Sequence, residues 1–314
     1  MHSQNFNKKT DQLSSSANLV SRFLALEQIY SVNELETYLH SLSKTRNTTP
    51  DSEPQPTDVV VLCASAILVI AEAVFEWAAR HIQKSTPDGN QEHPRRMVLV
   101  LCGGIGPSTP FVYDAVKANA RYSCIFDSIE GKPEAHVLKV IAERFYGLEV
   151  GGSNLTPSRS DLKNQDGLTI LMADRSINCG ASPEETQKVL ESHGIHNPSS
   201  ITVVQDPAMS RRTVACFESV YSKCAQRPKI ASWPVLAPEP AAYGVKLDDG
   251  KGLWSMDRFL DRILGEMPGV RDSGHGYRRG SGSSRVDIPD EVEDAWSTVL
   301  EGYGSRCFAP TLKS

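Results

Sequence analysis

Four short runs of apolar, largely β-branched residues constrain this chain more than any other feature. They are Val59-Val60-Val61-Leu62-Cys63, Met97 to Cys102, Thr169-Ile170-Leu171-Met172 and Ile201-Thr202-Val203-Val204, with Ile230 to Val235 as a weaker fifth. Their apolarity is continuous rather than alternating, so each reads as a strand covered on both faces, the situation of a parallel sheet. Stretches with helical spacing separate them, at 66–82, 110–119, 134–147, 182–193 and 208–225. Strand and helix repeated in this way predict an open α/β sheet. Val59 to Ala79 is apolar enough to imitate a membrane span, but Glu72 and Glu76 interrupt it, and a charge near a bilayer centre costs at least ~2.5 kcal/mol. A buried strand running into a helix is the expectation there.

Outside these runs the pattern divides the chain. Residues 1–17 are rich in Ser, Asn, Gln and Lys and are expected to be a disordered tail. Helices and a linker occupy 18–57, with three prolines and no core former between residues 42 and 57. The α/β domain spans 58–236. Within the C-terminal segment, 237–314, Leu253 to Leu264 and Pro289 to Leu300 read as amphipathic helices. The glycine-rich basic stretch between these two helices reads as a surface loop.

Composition narrows the function classes. Lys and Arg total 33 against 38 Asp and Glu, a net charge of −5 that argues against nucleic acid or an anionic membrane as partner. The 7 cysteines are scattered, with no C-x-x-C pair and no neighbouring histidine at zinc spacing. That arrangement predicts free thiols, no metal centre and a reducing compartment. The N-terminus lacks the apolar stretch of a signal peptide, which makes the cytoplasm the expected location.

In an open parallel sheet, ligands bind outside the carboxyl ends of the strands. The second run leads into Gly103-Gly104-Ile105-Gly106-Pro107-Ser108-Thr109, whose glycines permit close approach and whose hydroxyls can bond a ligand or cap a helix. The third leads into Asp174-Arg175-Ser176-Ile177-Asn178-Cys179-Gly180, and the fourth into Gln205-Asp206 and Arg211-Arg212. Arginines in the first turns of a helix, the end that attracts anions, suggest a small anionic ligand. Glu134 opens the helix that follows Gly131-Lys132-Pro133. Asx and Ser turns would account for Asp174, Ser176 and Asn178 individually, but four polar clusters along one sheet edge define a candidate small-molecule site. No nucleophile elbow, zinc motif or phosphate-binding Walker loop occurs. His136 is placed on another face of its helix from Glu134, with a surface or core role.

The motifs GGIGPST, Glu134-Ala135, DRSINCG and VVQDPAMSRRT, followed by KGLWSMDRFLDRILGEMPGVRD and VDIPDEVEDAW, resemble in order and spacing the YdcF-like branch of the ElyC/SanA/YdcF family, over roughly residues 58–303. The resemblance implies a Rossmann-like domain with a smaller helical part built from both chain ends, and S-adenosylmethionine as a cofactor. It carries over to Gly103, Gly104, Gly106, Ser108, Thr109, Glu134, Asp174, Ser176, Asn178, Gln205, Asp206, Arg211, Arg212, Glu266, Arg271 and Asp272. The chain departs from the pattern at Ala64-Ser65 and Ala181-Ser182, where the branch has Gly-Asn and Glu-Asn. A carboxylate is lost at the second departure, for which Glu184 or Glu185 would substitute one turn later.

The leading expectation is a small-molecule enzyme whose crevice holds S-adenosylmethionine or a similar nucleotide-like ligand. The glycine turn would pass beneath it, with Asp174 or Glu134 on hydroxyl or amino groups and Arg212 on a carboxylate or phosphate. The alternative is a cofactor-independent lyase, cyclase or hydrolase, with Glu134 or Asp174 as acid or base and Arg212 stabilising negative charge. A non-catalytic ligand-binding or regulatory protein is the third reading. A monomer or a homodimer is compatible with all three.

Overall fold

The computed structural model describes residues 2–44, 56–84, 96–151, 167–235, 256–271 and 286–303. Five strands form one parallel sheet in the order β3-β2-β1-β4-β5. They are β1 (Thr57–Cys63), β2 (Arg96–Cys102), β3 (Leu168–Ala173), β4 (Ser200–Val204) and β5 (Lys229–Ser232). The chain steps outward from β1 to β3, then returns past β1 to place β4 and β5 on the other side. The strand order therefore reverses between β1 and β4.

Both faces are covered, which explains the continuous apolarity of the strands. On one face Val60, Leu62, Leu99, Leu101 and Ile170 pack against α3 (Leu68–Lys84), α4 (Thr109–Ala118) and α6 (Glu134–Tyr146). A 3-10 turn at Ser123–Ile125 and the single-turn α5 (Phe126–Ile129) lie between α4 and α6. On the other face Val59, Val61, Val98, Val100 and Leu171 meet α7 (Ser182–Ser192) and α8 (Pro207–Tyr221). This is a three-layer α/β, Rossmann-like arrangement. Val59 to Ala79 resolves into β1 and α3, and no helix among the described residues is long and apolar enough to cross a membrane.

A smaller core lies beside α8. There Ala17, Val20 and Leu24 of α1 (His2–Ala25) pack with Phe259, Ile263 and Met267 of α9 (Met256–Arg271) and with Val292 and Val299 of α10 (Asp290–Tyr303). Two expectations are corrected here. Residues 2–17 of the expected disordered tail are the first part of a helix; its apolar residues are sparse, but α9, α10 and α8 supply the partners. The second N-terminal helix, α2 (Val32–Lys44), joins the sheet core instead of this annex, through Leu35, Leu39 and Leu42. The turn between α1 and α2 is fastened to β5, with Ile29 N donating to Ser232 O (3.2 Å) and Ser232 N to Gln28 Oε1 (2.8 Å). The expected linker and the basic glycine-rich loop fall mostly or wholly outside the described residues.

Candidate active site at the carboxyl ends of β2 and β3

The glycine turn after β2 is built into the protein. Gly103 N donates to Ala173 O (3.0 Å), Gly104 N to Ser176 O (2.7 Å) and Gly106 N to Thr109 Oγ1 (2.8 Å). A Cβ on Gly104 would stand 2.6 Å from Ser176 O, and one on Gly106 2.6 Å from Ile177 O. Glycine is required at both positions because the backbone of the β3–α7 loop occupies the space a side chain would need. The loops after β2 and β3 thus form one platform.

Helix α6 starts on that platform. Glu134 N donates to Gly104 O (3.1 Å) and Ala135 N to Gly103 O (2.7 Å), which satisfies two amides of the first helical turn. The Glu134 side chain is turned inward and only 6% exposed. Its Oε1 accepts hydrogen bonds from Ser108 Oγ (2.8 Å) and Thr109 Oγ1 (2.9 Å). Burial pushes the Glu134 carboxyl above the ordinary glutamate range, and the two hydroxyls pull in the opposite direction without cancelling it. Ser108 itself is exposed, so a hydroxyl connects this buried carboxyl to the protein surface.

Two residues further along α6, His136 Nε2 lies 3.2 Å from Asp174 Oδ2. This corrects the expectation that His136 has no part in a strand-end cluster. The helix period does separate it from Glu134, but the β3–α7 loop wraps the first turn of α6 and brings Asp174 to the other side. An Nε2–H donated to Asp174 leaves Nδ1 with the lone pair. Ser108, Thr109 and Glu134 therefore form one hydrogen-bonded group, and His136 with Asp174 a second on another face of the same first turn of α6.

Other expected ligand groups serve the fold. The Ser176 hydroxyl lies 3.5 Å from Cys102 Sγ. Asn178 Oδ1 accepts from Ala181 N (3.0 Å), so Asn178 closes the turn into α7. Gln205 Oε1 accepts from Asp206 N (2.7 Å), and Asp206 Oδ1 caps α8 by accepting from Ala208 N (3.0 Å). Burial pushes the Asp206 carboxyl up to about 6. The polar groups at the strand-order reversal are thus spent on the start of α8, and the free chemistry lies one strand over.

The arginines are also committed. Arg211 Nε donates to Phe23 O, with the guanidinium 4.0 Å over the Phe23 ring, and so holds α1. Arg212 pairs with Glu266 of α9 (2.6 Å), and Arg271 pairs with Glu293 of α10. The anionic-ligand role expected of Arg211 and Arg212 gives way to fastening the annex, because their partners are a carbonyl and a carboxylate from distant segments. The departures at Ala64-Ser65 and Ala181-Ser182 are absorbed as well. The Ala64 methyl abuts Gly103, Ser65 Oγ accepts from Ile67 N (3.1 Å), and Ser182 Oγ donates to Asn178 O (3.1 Å). Glu185 pairs with Lys188 (2.6 Å) rather than serving the site.

One feature of the site escaped the sequence reading. Ile105, Ile177 and Phe111 are 56%, 55% and 48% exposed, three of the five large hydrophobics exposed among the described residues. Ile105 and Ile177 lie on the two joined loops and Phe111 on the first turn of α4, with the Arg258 guanidinium of α9 4.3 Å above its ring. Single exposed apolar residues are ordinary, and only the joining of the two loops makes these a group. No protein-family model matches the chain.

Proposed function

We propose that the chain is an enzyme that transforms a small molecule by acid–base chemistry above β2 and β3, in the manner of a lyase, cyclase or hydrolase. The supporting observation is the pairing of two titratable systems on one helical turn. Glu134 is desolvated and tends to hold its proton, whereas His136 is held through Nε2 by Asp174, which leaves Nδ1 for the substrate. Titratable groups in contrasting environments are the usual basis for dividing acid and base roles. Glu134 delivers its proton through Oε2 or through Ser108, and His136 Nδ1 accepts one from the substrate. The apolar trio favours a substrate with an aliphatic or aromatic portion beside its reacting polar end.

S-adenosylmethionine fits the glycine turn poorly, since the Gly103, Gly104 and Gly106 amides are engaged within the protein. The resemblance to the YdcF-like branch is the support for that cofactor, and it enters the test as an added reagent. Purified protein is incubated with a complex small-molecule extract, with and without S-adenosylmethionine, and the mixture is followed by mass spectrometry. The expected result is consumption of at least one compound without the added cofactor, slowed about 100-fold or more in Glu134→Gln, the scale of a lost general acid. Equal consumption by wild type and Glu134→Gln, or none by wild type, would overturn the reading. Formation of S-adenosylhomocysteine would replace it with methyl transfer.

A further inference from the structure

Two serine hydroxyls among the described residues donate to a carboxylate. Ser200 Oγ donates to Asp58 Oδ1 (2.6 Å), but both residues are 0% exposed and lie at the amino end of the sheet, out of reach of a ligand. Ser108 Oγ donates to Glu134 Oε1 (2.8 Å) and is exposed. Ser31 and Ser65, by contrast, accept from amides two or three residues ahead of them, the ordinary local use of such a side chain.

The position of Ser108 makes its bond unusual. It is the N-cap residue of the ten-residue α4, where a serine ordinarily turns its oxygen to an amide of the first turn. Ser108 instead has helical dihedrals, φ −81° and ψ −20°, and makes no cap bond. Its hydroxyl is given to a buried carboxyl of another helix. Thr109 fixes that acceptor: Gly106 N donates to Thr109 Oγ1 (2.8 Å), which leaves the Thr109 proton for the same Glu134 oxygen (2.9 Å). Hydroxyl, base and orienting group thus stand in one hydrogen-bonded series, the arrangement that activates a nucleophile. Burial raises the Glu134 carboxyl, so its ionised form is a stronger proton acceptor than an ordinary glutamate. Phe111, one turn further along α4, places an exposed ring on the same side of the helix as Ser108.

We infer that Ser108 is a nucleophile that takes the acyl group of a carboxylic ester, with Glu134 as its base. This rests on the acid–base reading for Glu134 as the proton carrier and narrows that reading to acyl transfer. Oγ forms a bond to the ester carbonyl carbon while its proton passes to ionised Glu134 at Oε1. The bond from that carbon to the alcohol oxygen then breaks, and the alcohol leaves with the proton that Glu134 returns. Water attacks the acyl-serine and passes a proton to Glu134; the Oγ–acyl bond breaks, the carboxylic acid departs, and Ser108 recovers its proton. Ester and water become acid and alcohol, and nothing is oxidised or reduced. The positive end of α4 lies at Ser108 and favours the negative charge that develops on the carbonyl oxygen. The Phe111 ring suits an acyl portion of aliphatic or aromatic character.

The test uses the full chain and an alkyl fluorophosphonate, which phosphonylates a serine activated in this way: a P–O bond forms, the P–F bond breaks, and fluoride leaves while the serine proton passes to the base. Labelling is followed by intact mass and peptide mapping. The expected result is one adduct, on Ser108, absent from Ser108→Ala and formed about 100-fold or more slowly in Glu134→Gln, the scale of a lost general base. No adduct on wild type, a first adduct on another residue, or equal labelling of wild type and Glu134→Gln would overturn the inference. Wild-type mapping alone decides if either variant folds poorly. The readout needs no turnover of an extract compound. Consumption that depends on Glu134 with Ser108 unlabelled would remove this inference and leave the acid–base reading standing, whereas a labelled Ser108 without such consumption would do the reverse.

Discussion

Gly104→Ala is expected to unfold at a lower denaturant concentration than wild type, with a loss of about 3 kcal/mol of stability, on the scale of a buried overpacking lesion that also breaks a hydrogen bond. The methyl would stand 2.6 Å from Ser176 O, 3.0 Å from Arg175 C and 3.1 Å from Asp174 O, all backbone atoms. None can yield as the end of a flexible side chain would, so the two loops must part. The Gly104 N to Ser176 O bond is lost with them. Gly131→Ala is the informative control: nothing lies within 4 Å of its Cβ position, but its φ is +73°. It should cost only about 1 kcal/mol, from left-handed backbone strain alone. Equal urea midpoints for Gly104→Ala and wild type would show that the loops do not form the platform described.

The second large effect concerns the annex. Arg212→Ala takes from the buried Glu266 its nearest cation and leaves Arg262 at 3.5 Å, so the cost falls at the low end of the about 3–5 kcal/mol expected for breaking a buried pair. The double variant Arg212→Met/Glu266→Leu should recover much of that loss, since it removes the buried carboxylate with its nearest cation, keeps apolar volume between α8 and α9, and leaves Arg262 partly exposed to water. The measurement is a double-mutant cycle by urea denaturation. A double variant as unstable as Arg212→Ala would contradict a predominantly electrostatic junction. Because α1, α9 and α10 share one small core, loss of the pair should also expose the annex to proteolysis before the sheet unfolds.

These two variants probe parts of the molecule that the sequence reveals to different degrees. The sheet is legible because β1 to β4 are covered on both faces, so their apolar runs are continuous and end where polar turns begin. The order of strands is not legible, since nothing local distinguishes a step outward from a return past β1. At the site, Ser108, Thr109 and Glu134 are identifiable from their positions after β2 and at the start of α6. Their mutual contact requires α6 to begin on the glycine turn. His136 is hidden because its helix face is correctly separated from that of Glu134, and only the wrapping β3–α7 loop supplies Asp174. Arg211 and Arg212 mislead for a related reason. Arginines in the first turns of a helix suggest an anion, and the protein supplies its own partners from Phe23 and Glu266, far away in the chain.

The same distance effect governs α1. Its first seventeen residues lack an apolar stripe strong enough to declare a helix, yet Leu13 sits beside Gly302 of α10, where a Cβ would come within 2.9 Å of its Cδ1. The helix is recruited by its partners rather than by its own periodicity. A reading confined to local pattern therefore recovers the sheet and much of the site, and underestimates the annex.

Glu134 is a desolvated acid joined to the protein surface through the Ser108 hydroxyl. The most direct test is a carboxyl titration by NMR on protein carrying carbon-13 in the glutamate side chains, with Glu134→Gln to assign the resonance. The Glu134 midpoint is expected above the ordinary value of 4.5, because burial outweighs the hydrogen bonds from Ser108 and Thr109. In Ser108→Ala/Thr109→Val the midpoint should rise further, since those hydroxyls stabilise the ionised form. A raised carboxyl holds its proton as pH rises past 4.5, so the acid form persists where ordinary glutamates are ionised. A Glu134 midpoint at or below 4.5, or one that falls when the two hydroxyls are removed, would show that Glu134 is not a desolvated acid.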